Sequence, residues 1–491
     1  MRTTFGSLNI ANTGLFAAHR ALDVTSHNIA NTNTDGYSRQ VLLQKASIPI
    51  WGDPKGIMGT GVDTYNIVRI RNEYLDSKFW SQNRSVGEWT IKQENLASIE
   101  TIFNEPSNTG LRQVLDEYFI ALDELSKSTG DNTKRVAVVE RAKTLATSIN
   151  RNGHEIIDAI RDTNSAVQSK VEEINSLALQ ISVLNRQIYN MELGDNQAND
   201  LRDQRTALLD KLSKIIDIEV STNKDYHNNE TLSIKLGGIT FVEHVDYQEL
   251  AYVDIDVPGI TDLGAGKMSQ IVWKGMESQK VAIGSGELRG LLDIRDGDGQ
   301  GLNYRGLRYY LGKLNEFARE FSIAINEQHR KGVDFYGEPG TDFFIVPPEG
   351  ENKINCLNIA VSGFLLVDAN LIAASSDIEG ESNNENILKM ISLKDDTSLF
   401  QSTKGTLDDF IKAMLSTLAV DSQQSIRMLT NTEILAAQTD ITRMSVSGVL
   451  LDEEMGNMIK FNQAYNASAM MITTLDKILD TTINRLGMVG R

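Results

Sequence analysis

The chain has 491 residues, enough for about three domains of ordinary size and for a core that needs neither disulfides nor metal. Its 48 Lys and Arg against 66 Asp and Glu give a net charge of −18, which disfavours a nucleic-acid binder, and its one cysteine, Cys356, excludes an intramolecular disulfide and a multi-thiolate metal cage. No apolar run approaches the roughly 18 residues of a membrane span, and the first residues lack the apolar stretch of a secretory signal.

The charge is uneven along the chain. Residues 1–50 hold four bases and two acids, and residues 446–491 hold four bases and five acids, so near-neutral ends flank an acidic body. Neutral ends suit close packing against copies of the chain, while a like-charged body favours solubility. At the N-terminus Leu8, Ala11, Leu15, Ala18, Leu22, Thr25 and Ile29 alternate spacings of three and four. That heptad seam predicts a helix over 8–29, ending near Asn31 because Asn33, Asp35 and Gly36 are turn formers.

Residues 85–125 and 134–152 read as helices, followed by a heptad tract from Ile160 to Ile188, a turn at Gly194-Asp195-Asn196 and a helix over 199–216. After Ile216 β-branched and aromatic residues alternate with polar ones to about Val281, which predicts short strands. Helix is expected again over 302–331 and 405–444, with a strand-like stretch at 333–373 between them. At the C-terminus Leu451, Met458, Phe461, Tyr465, Ser468, Ile472, Leu475, Leu479, Thr482 and Leu486 share one seam, whose single charged position is Glu454. Met455, Ile459, Met471 and Ile483 widen that surface beyond a two-helix stripe.

The expected fold is α+β and multi-domain. Residues 1–50 with 446–491 would form paired terminal coiled-coil helices. Residues 51–216 with 284–332 and 400–445 would form a helical bundle, and 217–283 with 333–399 a β-rich outer domain. The excursion 217–283 reads as removable from the helical body.

Catalytic templates fail on their spacing. His154-Glu155 opens like a zinc-protease motif, but Asp158 stands where the second histidine belongs. Asp296-Gly297-Asp298-Gly299-Gln300-Gly301 opens like a calcium loop, yet Leu307 occupies the position of its closing acid. Gly264-Ala265-Gly266-Lys267 lacks the leading glycine and trailing hydroxyl of a phosphate loop, and Cys356 reads as buried filler. No catalytic residue, metal site or cofactor is expected. The terminal helices, by contrast, cannot be stable at a chain end without cover for their seams. Pairing with each other and then with copies of the chain would supply it. Leu8, Ala11, Leu15, Ala18, Leu22, Ile29, Met458, Phe461, Tyr465, Ile472, Leu475, Leu479 and Leu486 are therefore the expected subunit-interface residues.

The run Leu8-Asn9-Ile10-Ala11-Asn12-Thr13-Gly14-Leu15, with Asn28-Ile29-Ala30-Asn31 and Gly36-Tyr37-Ser38-Arg39-Gln40 beyond it, resembles the N-terminal signature of bacterial flagellar axial proteins: rod, hook and hook-associated proteins. Further blocks resemble the hook-associated protein 1 (FlgK-like) family in particular. They are Asn199 to Arg205, Gly286 to Asp296, Asn326-Glu327-Gln328-His329 with Gly340-Thr341-Asp342-Phe343-Phe344, and Lys460-Phe461-Asn462-Gln463-Ala464-Tyr465. This resemblance implies a structural subunit of the hook–filament junction, standing outside the cell after export through the flagellar type III apparatus. It also implies partners: copies of itself in a ring, the hook protein, hook-associated protein 3 and an FlgN-type export chaperone, with no nucleic acid and no membrane. A hook or distal-rod protein would share both ends but lack the 160–188 tract and the 326–344 block. From another class, the alternative is a secreted enzyme with its site in the β insertion.

Overall fold

The computed structural model describes residues 6–51, 57–103, 110–194, 196–226, 229–346, 353–377, 383–400 and 404–485. It opens with α1 (Gly6–Ala30), then β1 (Gln40–Ala46), β2 (Ile50–Trp51), β3 (Ile57–Met58) and β4 (Val62–Arg69). Helices α2 (Glu73–Phe103), α3 (Leu111–Ser126), α4 (Asn132–Glu192) and α5 (Asn199–Ile215) follow. Next come β5 (Glu219–Lys224), β6 (Glu230–Leu236), β7 (Ile239–Glu243), β8 (Asp246–Tyr247), β9 (Leu250–Ile255), β10 (Met268–Trp273) and β11 (Met276–Lys280). After them stand α6 (Glu287–Asp296), α7 (Leu307–Arg330), β12 (Phe344–Ile345), β13 (Ala360–Val361), α8 (Gly363–Val367) and α9 (Glu385–Ser392). Two long helices, α10 (Leu407–Ser447) and α11 (Leu451–Asp480), complete it. The fold is mixed α+β, with every strand pair antiparallel among the described residues.

Compactness divides the chain into two units rather than along the three-part scheme. The first holds Met1–Arg84, Glu173–Glu249 and Thr432–Arg491, and the second Ser85–Glu172 and Leu250–Asn431. In the first, β1 and β4 form a hairpin that packs on α1, while β5-β6-β7-β8 form a four-stranded sheet. Leu232, Ile234, Leu236, Phe241 and Val242 are the buried apolar side chains of that sheet. In the second unit one core gathers side chains from α2, α3, α4, α7 and α10. Helix α7 shows why it forms: Tyr310, Leu311, Leu314, Phe317, Phe321 and Ile325 recur every three or four residues and are all buried.

Several expected elements differ. The helix expected over 85–125 is two helices, the second of which starts after Gly110, whose backbone is extended at φ −66° and ψ 159°. The stretches 134–152 and 160–188 are one 61-residue helix, α4. Gly153 within it is a packing requirement: a β-carbon there would stand 2.8 Å from the Cys356 carbonyl oxygen, an approach only glycine permits. The 302–331 helix begins at Leu307, because Asp298 closes a turn by accepting from the Gln300 N–H and the Asn303 side chain. That turn accounts for the calcium-loop-like residues.

Residues 333–399 are not β-rich. Their described strands, β12 and β13, have two residues each, and Phe343, Phe344, Cys356, Ile359, Ile372 and Ile387 belong to the core of the second unit. Residues 217–283 split between the units, and β9-β10-β11 make a separate sheet. Ile260, Ala265 and Met268 also lie in that second core, so the tract contributes to it and does not stand apart from it as an excursion. The hairpin β1–β4 was not anticipated at all.

Candidate assembly interface

Two features of the first unit concentrate the residues singled out by pattern: the pairing of α1 with α11, and a polar clasp at the end of that pair. Helix α1 buries Ala11, Ala17, Ala18, Ala21, Val24, Thr25 and Asn28, while Leu8, Leu15, Leu22 and Ile29 are half-buried. Small residues on this face bring the helices close: a β-carbon at Gly14 would stand 3.3 Å from Ser468 Oγ. On α11, Met458, Phe461, Tyr465, Ser468, Ile472, Leu475 and Leu479 are all half-buried, a continuous seam at spacings of three and four. The His19 and Tyr465 rings meet across the pair at 6.3 Å. Leu486 lies outside the described residues.

Only Glu454 is fully buried on α11. Its Oε1 stands 2.9 Å from Arg39 Nε, and its Oε2 accepts from Asn28 Nδ2 at 3.2 Å. Asn28 uses its whole amide. Oδ1 accepts from the Tyr37 hydroxyl at 2.8 Å and the Gln40 N–H at 2.9 Å, and Nδ2 also donates to the Gln40 carbonyl at 2.9 Å. Arg39 donates to Glu453, and its backbone N–H donates to the Ser447 carbonyl at 2.8 Å. The segment after α1 is thus tied to both ends of the α10–α11 junction.

The turn that makes this possible ends at Gly36, whose φ of +78° favours glycine. Around it, Asn31 Nδ2 donates to the His27 carbonyl and Thr32 Oγ1 to the Ile29 carbonyl, satisfying acceptors at the end of α1. Ala30 and Gly36 are exposed; Tyr37, Ser38 and Gln40 are buried. Ser38 donates through both its N–H and hydroxyl to Asp203 at 2.8 Å, and Gln40 Nε2 donates to Asp200 at 2.8 Å. Arg69 also pairs with Asp203, at 2.8 Å. Burial, then the carboxylates of Asp200, Asp203 and Glu454, hold the Tyr37 hydroxyl far above its ordinary range, so it stays a donor.

The family resemblance singled out Asn28 and Gly36 to Gln40 and took in Asp200 and Asp203 within its 199–205 block without a role for either, while Arg69 was missed. Glu454 carried the available signal, as an acid in an otherwise apolar seam.

A second surface faces away from the pair. Phe16 is 60% exposed, and Met455, Ile459, Met470 and Ile478 are more than half exposed along α11. On α10, Ile434, Leu435 and Ile441 are likewise more than half exposed. Among the described residues no three His, Cys, Asp or Glu side chains group as metal ligands, and no helix is long and apolar enough to cross a membrane.

Three family models match: a flagella basal body rod protein model over residues 8–37, the flagellar hook-associated protein FlgK helical domain over 96–344, and a flagellar basal body rod FlgEFG protein C-terminal model over 442–486. Flagellar hook-associated protein 1 of Bacillus subtilis is 32% identical over the full length of both chains. Its Salmonella typhimurium counterpart is 26% identical over 97% of this chain and 99% of its own. The solved structure of the flagellar hook junction protein FlgK from Burkholderia pseudomallei shares the fold with a TM-score of 0.61, covering 77% of this chain and 100% of that one at 15% identity.

Proposed function

This chain belongs to the flagellar hook-associated protein 1 family, structural proteins of the hook–filament junction, and we propose that it assembles there through its paired terminal helices into a ring seated on the hook. The carrying observation is the outward apolar stripe of Phe16, Met455, Ile459 and Met470, which the chain's own pairing leaves in water. A stripe of that kind on a structural subunit is suited to burial against neighbouring copies. Residues 1–50 with 446–491 are the assembling part, with Leu8 to Ile29 and Met458 to Leu479 holding it together from within. Hook protein lies on one side of the ring and hook-associated protein 3 on the other. Before export through the flagellar type III apparatus, an FlgN-type chaperone covers α11, and the assembled subunit is extracellular. Neither catalysis nor a cofactor has a part in this role.

The matches at the two ends alone would also fit a hook or rod protein, but the match over 96–344 favours the junction role. A strain lacking this chain should carry hooks without filaments and release its filament protein into the medium. Restoration of filaments by the native gene but not by a Phe16→Glu variant supports the reading. Normal filaments in the deletion strain would overturn it.

A further inference from the structure

Half of the methionines lie in a small part of the chain: seven of 14 fall between Met428 and Met488, in the last 64 residues. Five of them are exposed on α10 and α11, and Met444 (48% exposed), Met455 (52%), Met470 (69%) and Met471 (52%) are more so than Met428 (36%). Met455, Ile459 and Met470 share one flank of α11. The only thiol takes no part: Cys356 is fully buried, and burial pushes it up to about 12, leaving it un-ionised. Met268, Met390 and Met414 are buried in the second unit and shielded in the same way.

We propose that Met444, Met455, Met470 and Met471 are a peroxide-modification site that renders the free subunit unable to assemble. The inference rests on the reading that this surface is the assembling one. The thioether sulphur attacks one oxygen of hydrogen peroxide and the O–O bond breaks. Sulphur gains the oxygen and is oxidised by two electrons, and the other oxygen leaves as water. An apolar, adaptable side chain becomes a polar sulfoxide. Such changes at exposed apolar positions introduce dipoles that neighbouring copies would have to bury without partners. Once the ring has formed, the same sulphurs are covered, so sensitivity belongs to the interval before incorporation.

The test treats the full-length chain with hydrogen peroxide, maps sulfoxides by peptide mass spectrometry, and measures sedimentation with hooks isolated from a deletion strain. Sulfoxide should form at the four positions while Met268, Met390 and Met414 stay reduced, and hook binding should fall at least tenfold. Methionine sulfoxide reductases should restore it. A variant with leucine at all four positions should bind equally with and without peroxide, although Met58, Met191, Met276 and Met428 remain oxidisable. Equal peroxide sensitivity in that variant, or undiminished binding by a chain carrying all four sulfoxides, would overturn the proposal. A Met470→Glu, Met471→Glu variant separates the two levels. If it binds hooks normally, the assembly reading itself fails; if it is blocked while the sulfoxide chain binds, only the oxidation proposal fails.

Discussion

Asn28 and Glu454 make unequal contributions to the clasp, although they touch. Removing the Glu454 carboxylate leaves Arg39 paired with half-exposed Glu453 and leaves Asn28 bonded to Gln40. Replacing Asn28 by alanine strands the Gln40 N–H and carbonyl and the Tyr37 hydroxyl, all in a buried setting. Asn28→Ala should therefore cost about 2–3 kcal/mol and Glu454→Gln about 1–2 kcal/mol. Hydrogen exchange of the α1 amides should register both, the first more strongly. A second residue gives a pH dependence. His329 is fully buried; its Nε2 accepts from the Ala373 N–H at 2.9 Å, so Nδ1 carries the proton donated to the Thr341 carbonyl at 2.6 Å. Burial depresses its pKa, with the hydrogen bond to the Thr341 carbonyl and then Asp342 and Asp334 pulling the other way. A folded value below the unfolded one means the full stability is present above about pH 6.5 and is lost as pH falls towards the folded value. Urea unfolding between pH 7.5 and 5.5 should show stability falling as pH drops below about 6.5, with this group's contribution to the slope absent in His329→Gln. Identical slopes in the two proteins would contradict the assignment.

At the scale of helices and strands, the inner seam and the outer stripe separate two effects that the heptad pattern alone could not. Leu475 is half-buried towards α1, so Leu475→Asp should loosen the helix pair as well as stop incorporation. Phe16 and Ile459 face water, so Phe16→Glu or Ile459→Glu should leave the melting of the lone subunit within about 0.5 kcal/mol of native and still abolish filaments. Circular dichroism melts beside filament counts would distinguish the cases. The terminal helices were legible because their period extends over more than 20 residues with little charge. Short strands were not: β1 and β4 read as featureless because Gln40, Gln44, Asn66 and Asp63 interrupt their alternation, and their packing on α1 comes from tertiary contact. The 333–399 stretch misled in the other direction. Its Phe343, Phe344 and Ile359 are apolar because they fill a helical core, not because they alternate across a sheet. The clasp was half legible, since the motif residues were visible but their partners Asp200 and Asp203 lie some 160 positions away.

For the molecule as a whole, two compact units replace the expected peripheral β domain. Joining residues 216 and 284 by a short linker would remove Ile260, Ala265 and Met268 from one core and the β5–β8 sheet from the other unit. The chain should then be insoluble or lose its cooperative melt, since each large buried side chain lost costs about 2–5 kcal/mol and a domain holds only about 5–15. A soluble deletion protein with a native-like melt would show the tract to be dispensable after all. Assembly is the claim on which the functional reading depends. The most direct measurement is an electron cryomicroscopy map of hooks decorated with this chain, at a resolution that places side chains. Phe16, Met455, Ile459 and Met470 should be buried between neighbouring copies, with Asn28, Arg39 and Glu454 still joined within each copy; a ring in which that stripe remains in solvent and the contacts lie elsewhere would contradict it.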